Sequence, residues 1–237
     1  MLDDQFKEAI RQYWLVRAAQ RQRQIEAGRA DAGTRGAVTG GAQMNALADL
    51  VARIFVGEGF TEDSIQRGAS LELPGYYRPE KKWDLLVIHE GTLAAAIEFK
   101  SQVGPSFGNN FNNRIEEAIG SATDVWTAYR EGRFGEVRPW LGYLFLLEDS
   151  PRSSQPVGAR EPFFKVDRVF RGASYKERYE IFCRRLVRER LYDAACFATG
   201  AEDPTKPVNQ PAPDLTFAKF AAAIRGRAKA LLELEAP

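Results

Sequence analysis

Residues 83–100, WDLLVIHEGTLAAAIEFK, decide the fold. Two apolar runs flank Glu90-Gly91 and read as the two strands of a hairpin. Side chains alternate between the faces of a strand, so Glu98 and Lys100 leave the same face. A three-residue loop of Glu90, Gly91 and Thr92, closed by His89 opposite Leu93, sets Asp84 directly opposite Glu98. A two-residue loop pairs Asp84 with Ile97 instead and sends the two carboxylates to opposite faces. For Asp84, Glu98 and Lys100 to meet, this reading requires the three-residue loop.

Working outward, residues 2–27 carry Leu2, Phe6, Ile10 and Tyr13 or Trp14 at helical spacing. GRADAGTRGAVTGGAQMN follows at 28–45, a glycine-rich stretch that permits close backbone approach to a ligand. A second amphipathic helix is expected from about Asn45 to Gly57. SLEL, 70–73, is a short strand candidate ended by Pro74-Gly75. Downstream, Ile115, Ala118, Ile119, Ala122 and Val125 share one face of a helix expected over 114–130. WLGYLFLLE, 140–148, is a continuous apolar run, as in a strand buried on both faces of a parallel sheet. FFKVDRVF, 163–170, reads as a further strand. A long helix is expected over 175–198, then a proline-rich connector and a last helix over 215–233. The order predicts an α/β fold, a mixed β-sheet flanked by helices with helical additions at both ends. A single domain is expected over 1–237: a helical, glycine-loop part at 1–60, a core at 61–150 and a C-terminal helical part at 151–237.

Composition narrows the function. The chain is 44% hydrophobic and 27% charged, enough for a packed core, and its net charge of +1 argues against bulk polyelectrolyte binding. No apolar run approaches the ~20 residues of a membrane span. MLDDQFKEAIRQYW lacks a basic start followed by an apolar stretch, so a cytoplasmic location is expected. Cys183 and Cys196 form no CxxC motif and read as reduced, buried residues. His89 is the sole histidine, which disfavours histidine-metal and histidine acid–base chemistry. No GxxxxGK[ST] motif is present, so ATP-driven movement is not expected.

Two carboxylates and an ammonium at the end of a buried hairpin are costly without a purpose. A divalent cation between Asp84 and Glu98 relieves their repulsion, and hard Mg²⁺ suits one or two carboxylates plus waters. Lys100 beside it can hold and deprotonate a water, or stabilise charge on a phosphate. Together these groups suit phosphodiester hydrolysis. The segment that follows holds Asn109, Asn110, Asn112 and Asn113, four of the chain's six asparagines. Amides pair with adenine edges and arginine with guanine. Gln102, Ser106, Asn109, Asn110, Asn112, Asn113 and Arg114 are therefore candidate DNA contacts, with Asn112 or Asn113 also suited to cap the next helix. Arg35, in the glycine-rich stretch, is a second candidate DNA contact, and the backbone amides of that stretch with Thr34 and Thr39 are candidate phosphate contacts. Lys81 and Lys82 read either as phosphate contacts or as a solvated face.

Asp84 followed by AIEFK resembles the PD-(D/E)xK nuclease superfamily, with Trp83 where proline is usual. KSQVGPSFGNNFNNRIEEAIGSATDVWTAYREG (100–132) and DAGTRGAVTGGAQMNALADL (31–50) are similar to the XhoI-type family of type II restriction endonucleases. The resemblance implies a Mg²⁺-dependent homodimer that cuts both strands of a short palindromic DNA site. It implies CTCGAG cut after the first C, 5′-phosphate ends, catalytic roles for Asp84, Glu98 and Lys100, and a cognate DNA methyltransferase as genetic partner. A repair or mobile-element nuclease on the same core, or an inert DNA-binding protein, is the competing expectation.

Overall fold

The computed structural model describes residues 1–26, 42–68 and 71–235. Five strands form one mixed sheet in the order β1-β4-β5-β6-β7. These are β1 (Ile65–Arg67), β4 (Leu85–His89), β5 (Thr92–Gln102), β6 (Trp140–Glu148) and β7 (Ala194–Gly200). Pairing is antiparallel from β1 to β5 and parallel from β5 to β7. A separate antiparallel ribbon joins β2 (Glu72–Pro74) to β3 (Glu80–Lys82). The sequence-based α/β expectation holds, including the parallel, doubly buried β6.

Each face of the sheet carries a core. Leu85, Val87, Ile97, Phe99, Leu144 and Cys196 pack against α1 (Leu2–Glu26), α2 (Asn45–Gly57) and α6 (Phe217–Glu235). Leu86, Ala96, Tyr143, Phe145 and Phe197 pack on the other face against α3 (Phe107–Arg130) and α5 (Tyr175–Arg188). A one-turn α4 (Pro151–Ser154) follows β6. The alternation assigns Glu98 and Lys100 to the face covered by α3 and α5. Cys183 and Cys196 are free and buried, one on each face of the sheet.

Four expectations are corrected. The hairpin loop is a two-residue turn, with His89 paired to Thr92. Glu90 and Gly91 have φ of 47° and 76°, the positive values that a type I′ turn needs. The register then shifts between Val87 and Ile88, leaving Ala94 as the extra residue of a bulge, and Leu85 pairs with Ile97. The bulge restores the one-residue offset, so extending the ladder by one step still sets Asp84 opposite Glu98.

The helix after β5 starts at Phe107 rather than near Arg114. Asparagines are poor helix formers, but Phe107 and Phe111, one turn apart, are buried against Tyr175 and Tyr179. The tertiary contact overrides local preference. Residues 163–170 form no strand: Phe163 and Phe164 are exposed, and Arg168–Phe170 is a short 3₁₀ turn. The helix expected over 175–198 stops at Arg188, and Ala194–Gly200 pairs with β6. Arg190 reverses the chain at φ 57°, and Leu191 N–H donates back to Leu186 O. The small apolar run AACFA fits either period, so only the neighbouring strand decides it.

Candidate active site

Glu98 is the centre of the site. Its side chain is 1% exposed, and its Oε1 lies 2.9 Å from Lys100 Nζ and 3.1 Å from Lys81 Nζ. Tyr192 O–H donates to Glu98 Oε2 at 2.9 Å. Burial pushes the Glu98 carboxyl up, but the two ammoniums and these hydrogen bonds outweigh it and hold it down at about 2. Asp84 sits just before β4, half-buried, and its Oδ2 accepts from Phe99 N–H at 2.8 Å. Burial and the charge of Glu98 push its carboxyl up. The Lys100 ammonium is favoured by Glu98 and Asp84 more than burial disfavours it.

Lys81 is a site residue that sequence reading left undecided. It lies on β3 with a side chain 13% exposed, its Nζ 4.0 Å from the centre of the Trp83 ring. Burial lowers its pKa. Its only signal in the sequence was proximity to Asp84, because β3 belongs to another sheet. Tyr192 gave no signal at all: it lies 94 residues beyond Glu98 and meets it only through α5 and the turn into β7.

The site opens into a cleft of about 320 Å³ lined by Arg78, Lys81, Lys82, Glu98, Lys100, Arg114, Glu116, Glu117, Gly120 and Ser121. Five of these residues are cationic and three acidic, so the cleft favours an anion.

The candidate DNA contacts divide. Gln102 is buried; its Nε2 donates to Phe107 O at 3.0 Å and its Oε1 accepts from Tyr179 O–H. That occupancy removes it from the surface. Asn109, Asn110, Asn112 and Asn113 lie within the first two turns of α3, not in a loop. Neither Asn112 nor Asn113 is the N-cap; Ser106 is, without a side-chain cap bond. Asn109, Asn112 and Asn113 are exposed at positions that share a helix face, and Glu116 continues that face into the cleft. Asn110 is half-buried. Arg114 lines the cleft and pairs with Glu117. Thr34, Arg35 and Thr39 lie outside the described residues. His89 packs beside Phe60 at the far end of the hairpin from Glu98.

Residues 23–209 match the family model described as Restriction endonuclease XhoI. The chain belongs to the XhoI restriction endonuclease family. It is 52% identical over 172 residues to the type II restriction enzyme BstVI of Geobacillus stearothermophilus, covering 70% of this chain and 77% of that one. It is 50% identical over 167 residues to AbrI of Azospirillum brasilense, at 70% and 75% coverage. It is 45% identical over 181 residues to XhoI of Xanthomonas vasicola, at 75% and 72% coverage. No solved structure matches the chain. Among the described residues of this restriction endonuclease, no helix is long and apolar enough to cross a membrane.

Proposed function

We propose that this restriction endonuclease hydrolyses phosphodiester bonds in double-stranded DNA at a short palindromic site, with Mg²⁺ as cofactor and Asp84, Glu98 and Lys100 as its catalytic residues. The observation that carries the reading is the ion pair of Glu98 and Lys100 in a cationic cleft, with Asp84, half-buried, near enough for its carboxyl to be shifted by the charges of both. Family resemblance supplies the proposed target, CTCGAG cut after the first C.

The donor set fits a hard divalent ion. Burial and the charge of Glu98 both disfavour the charged form of Asp84, a cost that a cation would relieve. Among the described residues no cluster of three or more histidine, cysteine, aspartate or glutamate side chains comes together. Mg²⁺ keeps several waters and takes only one or two protein carboxylates. Asp84 and Glu98 would hold it, and it would supply Lewis-acid charge stabilisation at the scissile phosphate. Lys100 Nζ orients the attacking water beside Glu98. The water oxygen forms the new P–O bond, the bond to the 3′ oxygen breaks, and the products are a 5′-phosphate and a 3′-hydroxyl. Asn109, Asn112, Asn113 and Arg114 are the proposed base-reading set: the three amides share an exposed helix face that Glu116 continues to the cleft, and Arg114 lines the cleft itself. A palindromic target is matched by a two-fold homodimer. A cognate methyltransferase is the expected genetic partner, because the host's own sites need protection.

The test is digestion of a plasmid with Mg²⁺ and mapping of the ends. Discrete fragments with 5′-phosphate ends at one palindrome are expected, with none in excess EDTA. Lys100→Ala should lower cleavage by at least ~10³-fold, the scale of losing a preorganised transition-state donor, while its circular dichroism spectrum stays that of the folded wild type. Unchanged cleavage by that variant sinks the mechanism; a structureless smear of products sinks the site-specific reading.

A further inference from the structure

The β2–β3 ribbon ends in a tip that the site described above does not use. The tip is Gly75-Tyr76-Tyr77-Arg78-Pro79, closed by Gly75 N–H donating to Pro79 O at 3.2 Å. Asp124 of α3, 2% exposed, holds it from beneath. Its Oδ1 accepts from the backbone N–H of Tyr76 at 2.7 Å and of Tyr77 at 2.9 Å, and its Oδ2 from Arg78 Nε at 2.6 Å. The fit is close: a Cβ on Gly75 would stand 2.6 Å from both Arg78 O and Asp124 Oδ2. A fully buried carboxylate is thus spent on ordering one surface turn.

What the turn displays is apolar area with polar ends. Tyr76 is 50% and Tyr77 70% exposed, with their rings edge to face at 4.9 Å. They immediately precede Arg78, which lines the cleft with Lys81, Lys82, Lys100 and Arg114. Arg78 bonds Asp124 through Nε alone, leaving its Nη groups for a ligand.

We propose that this tip, Tyr76-Tyr77-Arg78, is a DNA-backbone grip that seats the duplex against the catalytic cleft, with Asp124 as its positioning residue. The proposal rests on the nuclease reading above. Tyrosine hydroxyls and an arginine fork are common donors to phosphate oxygens, and such contacts fix register without reading sequence. An ordered tip loses little entropy on binding, which gives the buried Asp124 clamp its purpose. Charge favours DNA over a second copy of the chain, because the tip borders a cleft with five cationic side chains.

The test is fluorescence anisotropy of the full chain with two labelled duplexes, one carrying the cleaved palindrome and one unrelated, in Ca²⁺ and across a salt series. Tyr77→Phe should weaken binding to both duplexes by about 5-fold, the loss of one hydrogen bond, without changing the salt slope. Arg78→Gln should weaken both and lower the salt slope by about 1. Asp124→Asn, measured well below its melting temperature, should also weaken both. Wild-type binding by the Tyr77 and Arg78 variants, alongside normal cleavage by the wild type, overturns the grip and leaves the nuclease reading standing. Loss confined to the palindrome, or a changed sedimentation coefficient with unchanged DNA affinity, overturns it in favour of base reading or of a contact between copies. A wild type that neither binds nor cuts DNA overturns both.

Discussion

Asp124→Asn tests whether the ribbon is held by charge or only by shape. The carboxylate accepts three hydrogen bonds, two from backbone N–H groups and one from Arg78. The amide keeps one acceptor oxygen. If that oxygen stays on the two backbone groups, its NH₂ faces Arg78 Nε, donor against donor. The lost bond to Arg78 is a charged one, but Arg78 is 42% exposed, so water recovers part of it. About 1 kcal/mol remains for that bond, and weakening the other two from charged to neutral acceptors adds about 0.5–1 kcal/mol each. The sum is about 2–3 kcal/mol, or a melting temperature lower by roughly 5–10 °C in a chain of this size.

The pH dependence gives a second handle. Burial pushes the Asp124 carboxyl up, but the N–H groups of Tyr77 and Tyr76 and the Arg78 guanidinium hold it below its usual range. A depressed native pKa means the stabilisation is complete above the unfolded value of about 4 and is lost as pH falls through the native one. The gap between wild type and variant, measured by circular dichroism melts, should therefore stay flat from about pH 8 to 5 and shrink only below about 4. A gap under about 1 °C at neutral pH, or one that closes between about pH 7 and 6, refutes the reasoning.

Tyr192→Phe removes the donor to Glu98 Oε2 and should lower kcat by about 5–10-fold with little change in KM, since the packing of the ring is kept. Steady-state cleavage of a short duplex measures this, and an equal rise in KM would point to lost DNA binding instead. In the hairpin turn, Glu90→Gly should raise stability by up to ~1 kcal/mol and Gly91→Ala lower it by about as much, both followed by urea unfolding. Opposite signs would mean that the turn does not require positive φ at both positions.

The doublet of strands around Glu90-Gly91, the parallel strand at 140–148 and the pairing of Glu98 with Lys100 on one face were legible because periodicity and turn chemistry are local. The position of Asp84 was legible for a reason only half right. The loop is one residue shorter than inferred, and the bulge at Ala94 restores the offset. A bulge among small apolar residues leaves no mark in a one-dimensional pattern. The asparagine cluster was visible, but its helical placement depends on Phe107 and Phe111 meeting Tyr175 and Tyr179, each 68 residues further along the chain. The same holds for Ala194–Gly200, whose strand state is set by β6 alongside it.

The sequence by itself determined the chemistry, two carboxylates and a lysine on one hairpin, because residue types and strand alternation suffice for that. Only the tertiary structure decided what surrounds it. Lys81 comes from a separate ribbon, Tyr192 from beyond α5, and Asp124 reaches 48 residues back to fix the ribbon tip. Such contacts join segments far apart in the chain, and their energy comes from burial and charge pairing that exist only once the core has formed.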